Sequence, residues 1–256
     1  MMRPFKASND LLDDAPALRQ RMREEGYLFF RGVGPREKIL AARRDVIALC
    51  RDAGWCDDSG AWSGAGPFTE GDRQYMEVYR HMIKLPSFLA VPEERVFFDI
   101  IAGIVGGEVM LHRLRIGRIT FPNNVAQTTA AHQDHWYIRG TPDTYTIWTP
   151  LGDCPRELGG LALLPGSHGA GFIEHRLNPE KKYAGHGLAE DQLPADEGDW
   201  VTGDFEAGDF LMFHSYTVHK AMPNLTRDRL RISTDNRYQR KGDEIAEIST
   251  RSHYNL

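Results

Sequence analysis

Cysteine is scarce in this chain: there are three, Cys50, Cys56 and Cys154, in 256 residues. A sparse, odd-numbered set builds no disulfide framework, and no CxxC pair is present to suggest a structural zinc site. A reducing compartment fits that usage. No apolar run approaches the length needed to span a bilayer. The opening MMRPFKASNDLLDDAPALRQ is polar and mixed in charge, without the apolar stretch of a secretory signal. Basic residues are not in excess: 31 Lys and Arg against 36 Asp and Glu leave a net charge of −5, which argues against general nucleic-acid binding. There is no internal repeat and no low-complexity segment. These absences lead us to expect a cytoplasmic, soluble protein that engages neither nucleic acid nor membrane.

The composition, 41% hydrophobic and 26% charged, is that of a globular chain able to bury a substantial core. In the first half, "APALRQRMREEG" reads as a helix stopped at Gly26, and "YLFFRGV" as a strand. "PREKILAARRDVIALCRDAG" places Ile39, Ala42, Val46 and Leu49 on one helical face. A Gly-, Ser- and Asp-rich loop covers 57–72, and "PEERVFFDIIAGIVGG" reads as a helix opened by Pro92 and closed by glycines. After Gly107 the period changes to two. In "EVMLHRLRIGRITF", Met110, His112, Leu114 and Ile116 share one face, and Leu111, Arg113 and Arg115 the other. Strand-like runs follow in "DTYTIWTPL", "GLALLP", "DWVTGDF", "DFLMFHSYTVH" and "RLRISTDNRYQ". Gly, Pro and Asp turns separate them, a pattern that suggests a sandwich or jelly roll. The segment 174–198 reads as a long loop, a candidate lid.

The chemistry concentrates in "TTAAHQDHWYIRG". If this stretch is a strand, His132 and Asp134 point one way and Gln133 and His135 the other. An imidazole and a carboxylate aimed at one point need a third ligand to form a facial triad that leaves cis positions open, the arrangement suited to Fe(II) and O2. An isolated HxD is weak on its own. "GDFLMFHSYTVHKAMPN" offers His214 and His219; five apart on one regular strand, they face opposite ways, so unless a bulge intervenes one serves and the other is a hydrogen-bonded structural histidine. In "RDRLRISTDNRYQ", Arg229, Arg231 and Ser233 share a face. A buried guanidinium there calls for a carboxylate, which it grips as a fork. The plain alternative is an edge strand with surface arginines.

Together, "HQDHWYIRGTPDTYTIWTPLGDCPRELGGLALLPGSH", "GDFLMFHSYTVHKAMPN" and "RLRISTDNRYQ" resemble the phytanoyl-CoA dioxygenase family, over roughly Tyr27 to Gln239. The resemblance implies a mainly β protein with flanking helices, a double-stranded β-helix (jelly roll, cupin-like). It implies a single oxygenase domain over 1–256, with N-terminal helices and a strand packed on a core of about 108–240. It implies Fe(II), 2-oxoglutarate as co-substrate, and O2. His132, Asp134 and His219 match the iron ligands, and Arg231 matches the 2-oxoglutarate arginine. Arg229 is the alternative, because the segment after Asn224 is about one residue longer than usual. Trp148 matches a tryptophan of the co-substrate pocket; Ser233, Thr129 and Gln133 are placed nearby, Gln133 by parity behind the ligands. Halogenating relatives replace the carboxylate with a small residue, so Asp134 implies hydroxylation, or a desaturating or ring-forming variant, with release of succinate and CO2.

Two rival functions use the same residues: a cupin-like divalent-metal isomerase or hydrolase without O2, and a degenerate binding module. The substrate is expected to be a small molecule with an anionic group, received by Arg113 and Arg115 if their face turns into the barrel, with Arg139 at the rim. Those arginines otherwise face solvent or pair with neighbouring acids. Trp136 and Tyr137 either line the substrate pocket or pack beneath the lid. His112 reads as a core histidine and His168 as a turn residue.

Overall fold

The computed structural model describes residues 1–125, 128–178, 185–193 and 195–255. The chain opens with a short strand, β1 (Arg3–Pro4), and a helix, α1 (Ala15–Glu25). Asp14 caps α1 by accepting the Ala17 N–H at 2.9 Å, and Gly26 ends it in the left-handed region (φ 73°), which a residue without Cβ adopts freely. The turn feeds straight into β2 (Tyr27–Phe30). Next come α2 (Arg36–Asp52), α3 (Arg73–Met82), α4 (Pro86–Ala90) and α5 (Arg95–Val105). The sequence reading assigns no element to α3 and α4. Tyr75, Val78, Tyr79 and Met82 are nevertheless spaced i, i+3, i+4, i+7 and all buried.

The second half holds β3 (Val109–Thr120), α6 (His135–Ile138), β4 (Thr144–Pro150), β5 (Leu161–Leu163), β6 (Arg176–Leu177), β7 (His186–Gly187), β8 (Val201–Thr202), β9 (Phe210–His214), β10 (His219–Ala221) and β11 (Arg231–Arg240). A major sheet has the antiparallel order β2-β9-β4-β11-β3, and a minor one the order β1-β8-β5-β10. With helices on one side of the major sheet, this is the mainly β jelly roll expected. Among the described residues, no helix is long and apolar enough to cross a membrane.

β2 and β4 of the major sheet are buried on both faces, which hides period two in runs such as YLFF. Leu28, Phe30, Ile147, Phe210, Met212 and Ile232 pack outward on helix residues such as Ile39, Val46, Tyr79 and Phe97. Tyr27, Phe29, Trp148, Leu211 and Phe213 point inward and meet Leu161, Leu163 and Val201 of the minor sheet. The same inward alternation continues along β11 as Arg231, Ser233, Asp235 and Arg237. One part of the space between the sheets is therefore hydrocarbon and another is charged.

Three expectations need correction. The HxD stretch is not a strand: His132 makes a single bridge to His219, and Asp134 is already in helical conformation (φ −58°, ψ −33°) at the start of α6. His214 and His219 do not share a strand; they end β9 and begin β10, in different sheets. β3 also presents the opposite face to the one expected. Ile116, Arg118 and Thr120 pair with Asp235, Ser233 and Arg231 and so point between the sheets, while Gly117 faces Met82 and Phe88. The segment read as a lid forms a β6–β7 hairpin and tight turns, with 179–184 and 194 outside the described residues.

Gly159 holds the minor sheet close to the chain leaving β10. It sits at φ 85°, and a Cβ there would lie 2.5 Å from the Met222 carbonyl oxygen and 2.6 Å from that of Pro223. Gly159→Ala should lower stability by about 2–4 kcal/mol, strain and overpacking together. Gly54 also has positive φ but nothing within 4 Å of a Cβ, so Gly54→Ala should lose only about 1 kcal/mol. Urea unfolding of the two variants checks the difference.

Candidate metal and co-substrate site

Backbone pairing brings the two imidazoles together. His132 N–H donates to the His219 carbonyl at 2.9 Å, and His219 N–H to that of His132 at 3.0 Å. Both rings therefore leave the same face of this bridge, with centroids 4.1 Å apart. Each ring is oriented by its other nitrogen. Nδ1 of His132 donates to the Ala130 carbonyl at 2.8 Å, and Nδ1 of His219 to the Thr217 carbonyl at 3.0 Å. A carbonyl only accepts, so each Nδ1 carries a proton and each Nε2 is turned toward the common centre. Burial, together with the neighbouring His132, pushes the His219 imidazole down to about 3, which keeps it neutral.

The start of α6 carries Asp134 to the same point. Its Oδ1 lies 3.6 Å from His132 Nε2 and 3.7 Å from His219 Nε2. The three ligand atoms all fall within 4.8 Å of one another. Oδ2 accepts from Thr146 Oγ1 at 2.5 Å, and from Arg237 Nε at 3.2 Å and Nη2 at 3.0 Å, and the same Nη2 reaches Oδ1 at 3.1 Å. Thr146 and Arg237 are cross-strand partners on β4 and β11, so one inward-facing pair of the major sheet holds the carboxylate. Burial disfavours the charge on Asp134, but Arg237 and the two histidines more than offset it and hold the carboxyl well below its usual range. The result is a buried donor set of two imidazole nitrogens and one carboxylate with Oδ1 toward the centre. That donor set suits a divalent transition metal and leaves positions open for other ligands.

A cavity of about 40 Å³ connects this triad with Arg231 and Trp148. Arg231 is 4% exposed. Its Nη1 donates to Ser233 Oγ at 2.7 Å, its Nε has no partner, and among the described residues no carboxylate lies within ion-pair distance. Burial lowers its pKa from the ordinary arginine value. A buried guanidinium left so is arranged for an anion from outside the chain. Thr129 lines this cavity and a larger one of about 200 Å³ on the other side of the triad.

Other expected residues lie elsewhere. Arg229 pairs with Glu157 at the surface, at 2.9 Å. Gln133 does not reach the cavity; its amide is taken up by the carbonyls of Gly171 and Tyr216 and the N–H of Ile173, anchoring the loop behind the ligands. Arg113 is exposed, and Arg115 binds Glu93 at 2.9 Å and the Leu89 carbonyl, because the helical layer supplies acceptors on the face of β3 away from the site. The expected inward cationic pair is thus overturned. Trp136 stacks on His175 (5.1 Å, 6°), with the Arg139 guanidinium 4.6 Å from its ring, and both also pack against Phe172. Tyr137 does line the larger cavity and donates to the His186 carbonyl. His214 accepts from the Tyr216 N–H and faces Asp143. Sequence reasoning missed Arg237, Thr146, Arg118 and Glu70. The alternation Arg231, Ser233, Asp235, Arg237 was a usable signal for the first; Glu70 sits in an irregular loop and gave none.

Comparison with known proteins adds the family. The sequence profile described as Phytanoyl-CoA dioxygenase (PhyH) matches residues 22–233. A 1-deoxypentalenic acid 11-beta-hydroxylase from Streptomyces arenae is 29% identical over 252 residues, covering 90% of this chain and 82% of the relative. Among solved structures, the non-heme monooxygenase ThoJ in its apo form superposes with a TM-score of 0.64 at 20% identity, covering 87% of this chain and 77% of that one. The epimerase SnoN, solved with Fe3+, alpha ketoglutarate and nogalamycin RO, gives 0.58 at 21% identity, covering 92% and 87%. At these identities the two structures speak for the fold.

Arg237→Leu should weaken Co(II) binding by about 10–100-fold, the loss typical of a group that orients a ligand. His214→Ala should stay within about tenfold of the unsubstituted chain. Calorimetric titration checks both; metal lost with His214→Ala and kept with His219→Ala would reverse the ligand assignment.

Proposed function

We propose that this chain, which belongs to the phytanoyl-CoA dioxygenase family, is an Fe(II)- and 2-oxoglutarate-dependent hydroxylase of a small organic molecule. The observation that carries the reading is the buried, carboxylate-free Arg231 sharing a small cavity with the His132, Asp134 and His219 triad. A metal isomerase or hydrolase would have no use for that cation. The relative from Streptomyces arenae, named for hydroxylation of 1-deoxypentalenic acid, supports the same reaction type.

His132, Asp134 and His219 hold the metal through Nε2, Oδ1 and Nε2. Arg237 and Thr146 would fix the Asp134 carboxylate in place for that role. Arg231, steadied by Ser233, receives the distal carboxylate of 2-oxoglutarate, with the Trp148 ring 6.0 Å from its guanidinium carbon. Thr129 offers a hydroxyl on the wall common to both cavities. When bound, iron with 2-oxoglutarate and O2 supplies oxidative decarboxylation to succinate and CO2, coupled to insertion of one oxygen atom into a C–H bond. The substrate enters from the larger cavity, where Tyr137 and Ile138 exclude water on the side of α6. Three buried, unpaired cysteines support a reducing, cytoplasmic setting, and helices packed against the whole major sheet support one oxygenase domain.

Removing one side of a buried charge pair costs roughly 3–5 kcal/mol. Arg231→Ala should therefore raise the 2-oxoglutarate concentration needed for succinate formation by two or more orders of magnitude, with metal binding retained, and Arg229→Ala should not. The opposite pattern would move the role to Arg229.

A further inference from the structure

The cavity of about 200 Å³ beside the triad has a wall that the family match does not include. The match ends at residue 233, whereas Ile248, His253 and Tyr254 line this space. The C-terminal segment is tied down at three points. Ser249 Oγ donates to the Ile138 carbonyl at 3.3 Å, Tyr79 and His253 share a hydrogen bond, and the Tyr254 hydroxyl donates to Glu70. Six lining residues, Leu114, Ile116, Tyr137, Ile138, Ile248 and Tyr254, present mostly carbon. Ile248 lines this space and is 53% exposed, so its side chain is within reach of a ligand arriving from solvent.

The charges around this space are already matched. Arg118 pairs with Glu70 at 2.5 Å and Asp235 at 3.4 Å, and Arg237 with Asp134. Among the described residues, no arginine or lysine lining this cavity lacks a carboxylate partner. Burial, with Arg118 and Arg237 nearby, pushes the His253 imidazole down to about 3, so it adds no charge. A carboxylate entering here must displace an acid from Arg118 or lie buried without a partner, and both are costly. A hydrocarbon skeleton meets no such barrier and gains by leaving water.

We propose that this cavity is the substrate site, that the C-terminal segment is its specificity-determining wall, and that it takes an uncharged molecule presenting hydrocarbon to the metal centre. The inference rests on the oxygenase reading above. It departs from the curated relative, which is named for an acid, and replaces the anionic substrate expected from Arg113 and Arg115.

The test is thermal unfolding of the chain loaded with Co(II) and 2-oxoglutarate, titrated with three probes on one rigid skeleton: adamantanol, adamantanecarboxylate and adamantylammonium. The alcohol should raise Tm and bind at least about tenfold tighter than either ion. Glu70→Gln, which frees one side of Arg118, should raise the affinity of the carboxylate. Ile248→Trp should abolish the response to the alcohol while the shift caused by 2-oxoglutarate persists. The proposal is overturned by tighter carboxylate binding to the unsubstituted chain, by no response to the alcohol, by no gain for the carboxylate in Glu70→Gln, or by unchanged alcohol binding in Ile248→Trp. Failure of 2-oxoglutarate itself to stabilise the Co(II)-loaded chain would count against the oxygenase reading instead, so the two failures are separable.

Discussion

Asp134 is 2% exposed and charged, a state that the interior of a β-sandwich tolerates only with partners in place. Its second oxygen takes a hydroxyl and a guanidinium from the major sheet, and its first faces two imidazoles fixed by a backbone bridge at the edge of the minor sheet. The site thus exists only while the two sheets keep their spacing. Moving the sheets apart would leave Asp134 and Arg237 as unpaired buried charges. The helices that press on the outer face of the major sheet, and the hydrocarbon contacts of Phe29, Leu163 and Phe213 between the sheets, therefore serve the metal site from a distance.

The interior also divides its cations by task. Arg237 is committed to Asp134, and Arg118 to Glu70 and Asp235. Arg231 alone of these three has no carboxylate, and it shares its cavity with the triad. A dianionic co-substrate that reaches from the metal to a guanidinium completes this arrangement. The larger cavity on the other side is left to a ligand recognised by shape and hydrocarbon contact. That separation gives the co-substrate and the substrate different physics within one site.

Much of this was readable from residue types and spacing. The period of two after Gly107, the turn residues between short runs, and the order HxD, distant His, Arg all pointed to the fold and the reaction class. The reasons offered for individual placements did less well. His132 and Asp134 converge through a bridge and a helical turn, although strand parity assigned them the same neighbours. The expectation of an inward arginine pair supposed that the apolar face of β3 lies toward the helices. Here Leu114 and Ile116 line a cavity, and Arg115 finds Glu93 on the helical side. One strand cannot reveal which of its faces meets which layer. Glu70 and the C-terminal segment were invisible for a related reason: their importance comes from contacts across 184 positions of sequence, between Glu70 and Tyr254, and from no local pattern.

The central claim is that His132, Asp134 and His219 hold Fe(II) in a site that also chelates 2-oxoglutarate. Absorption spectroscopy under anaerobic conditions tests it most directly. Addition of Fe(II) and 2-oxoglutarate together should produce a weak visible charge-transfer band that neither gives alone, and His219→Ala should lose it. Tight Fe(II) binding without that band would contradict the account.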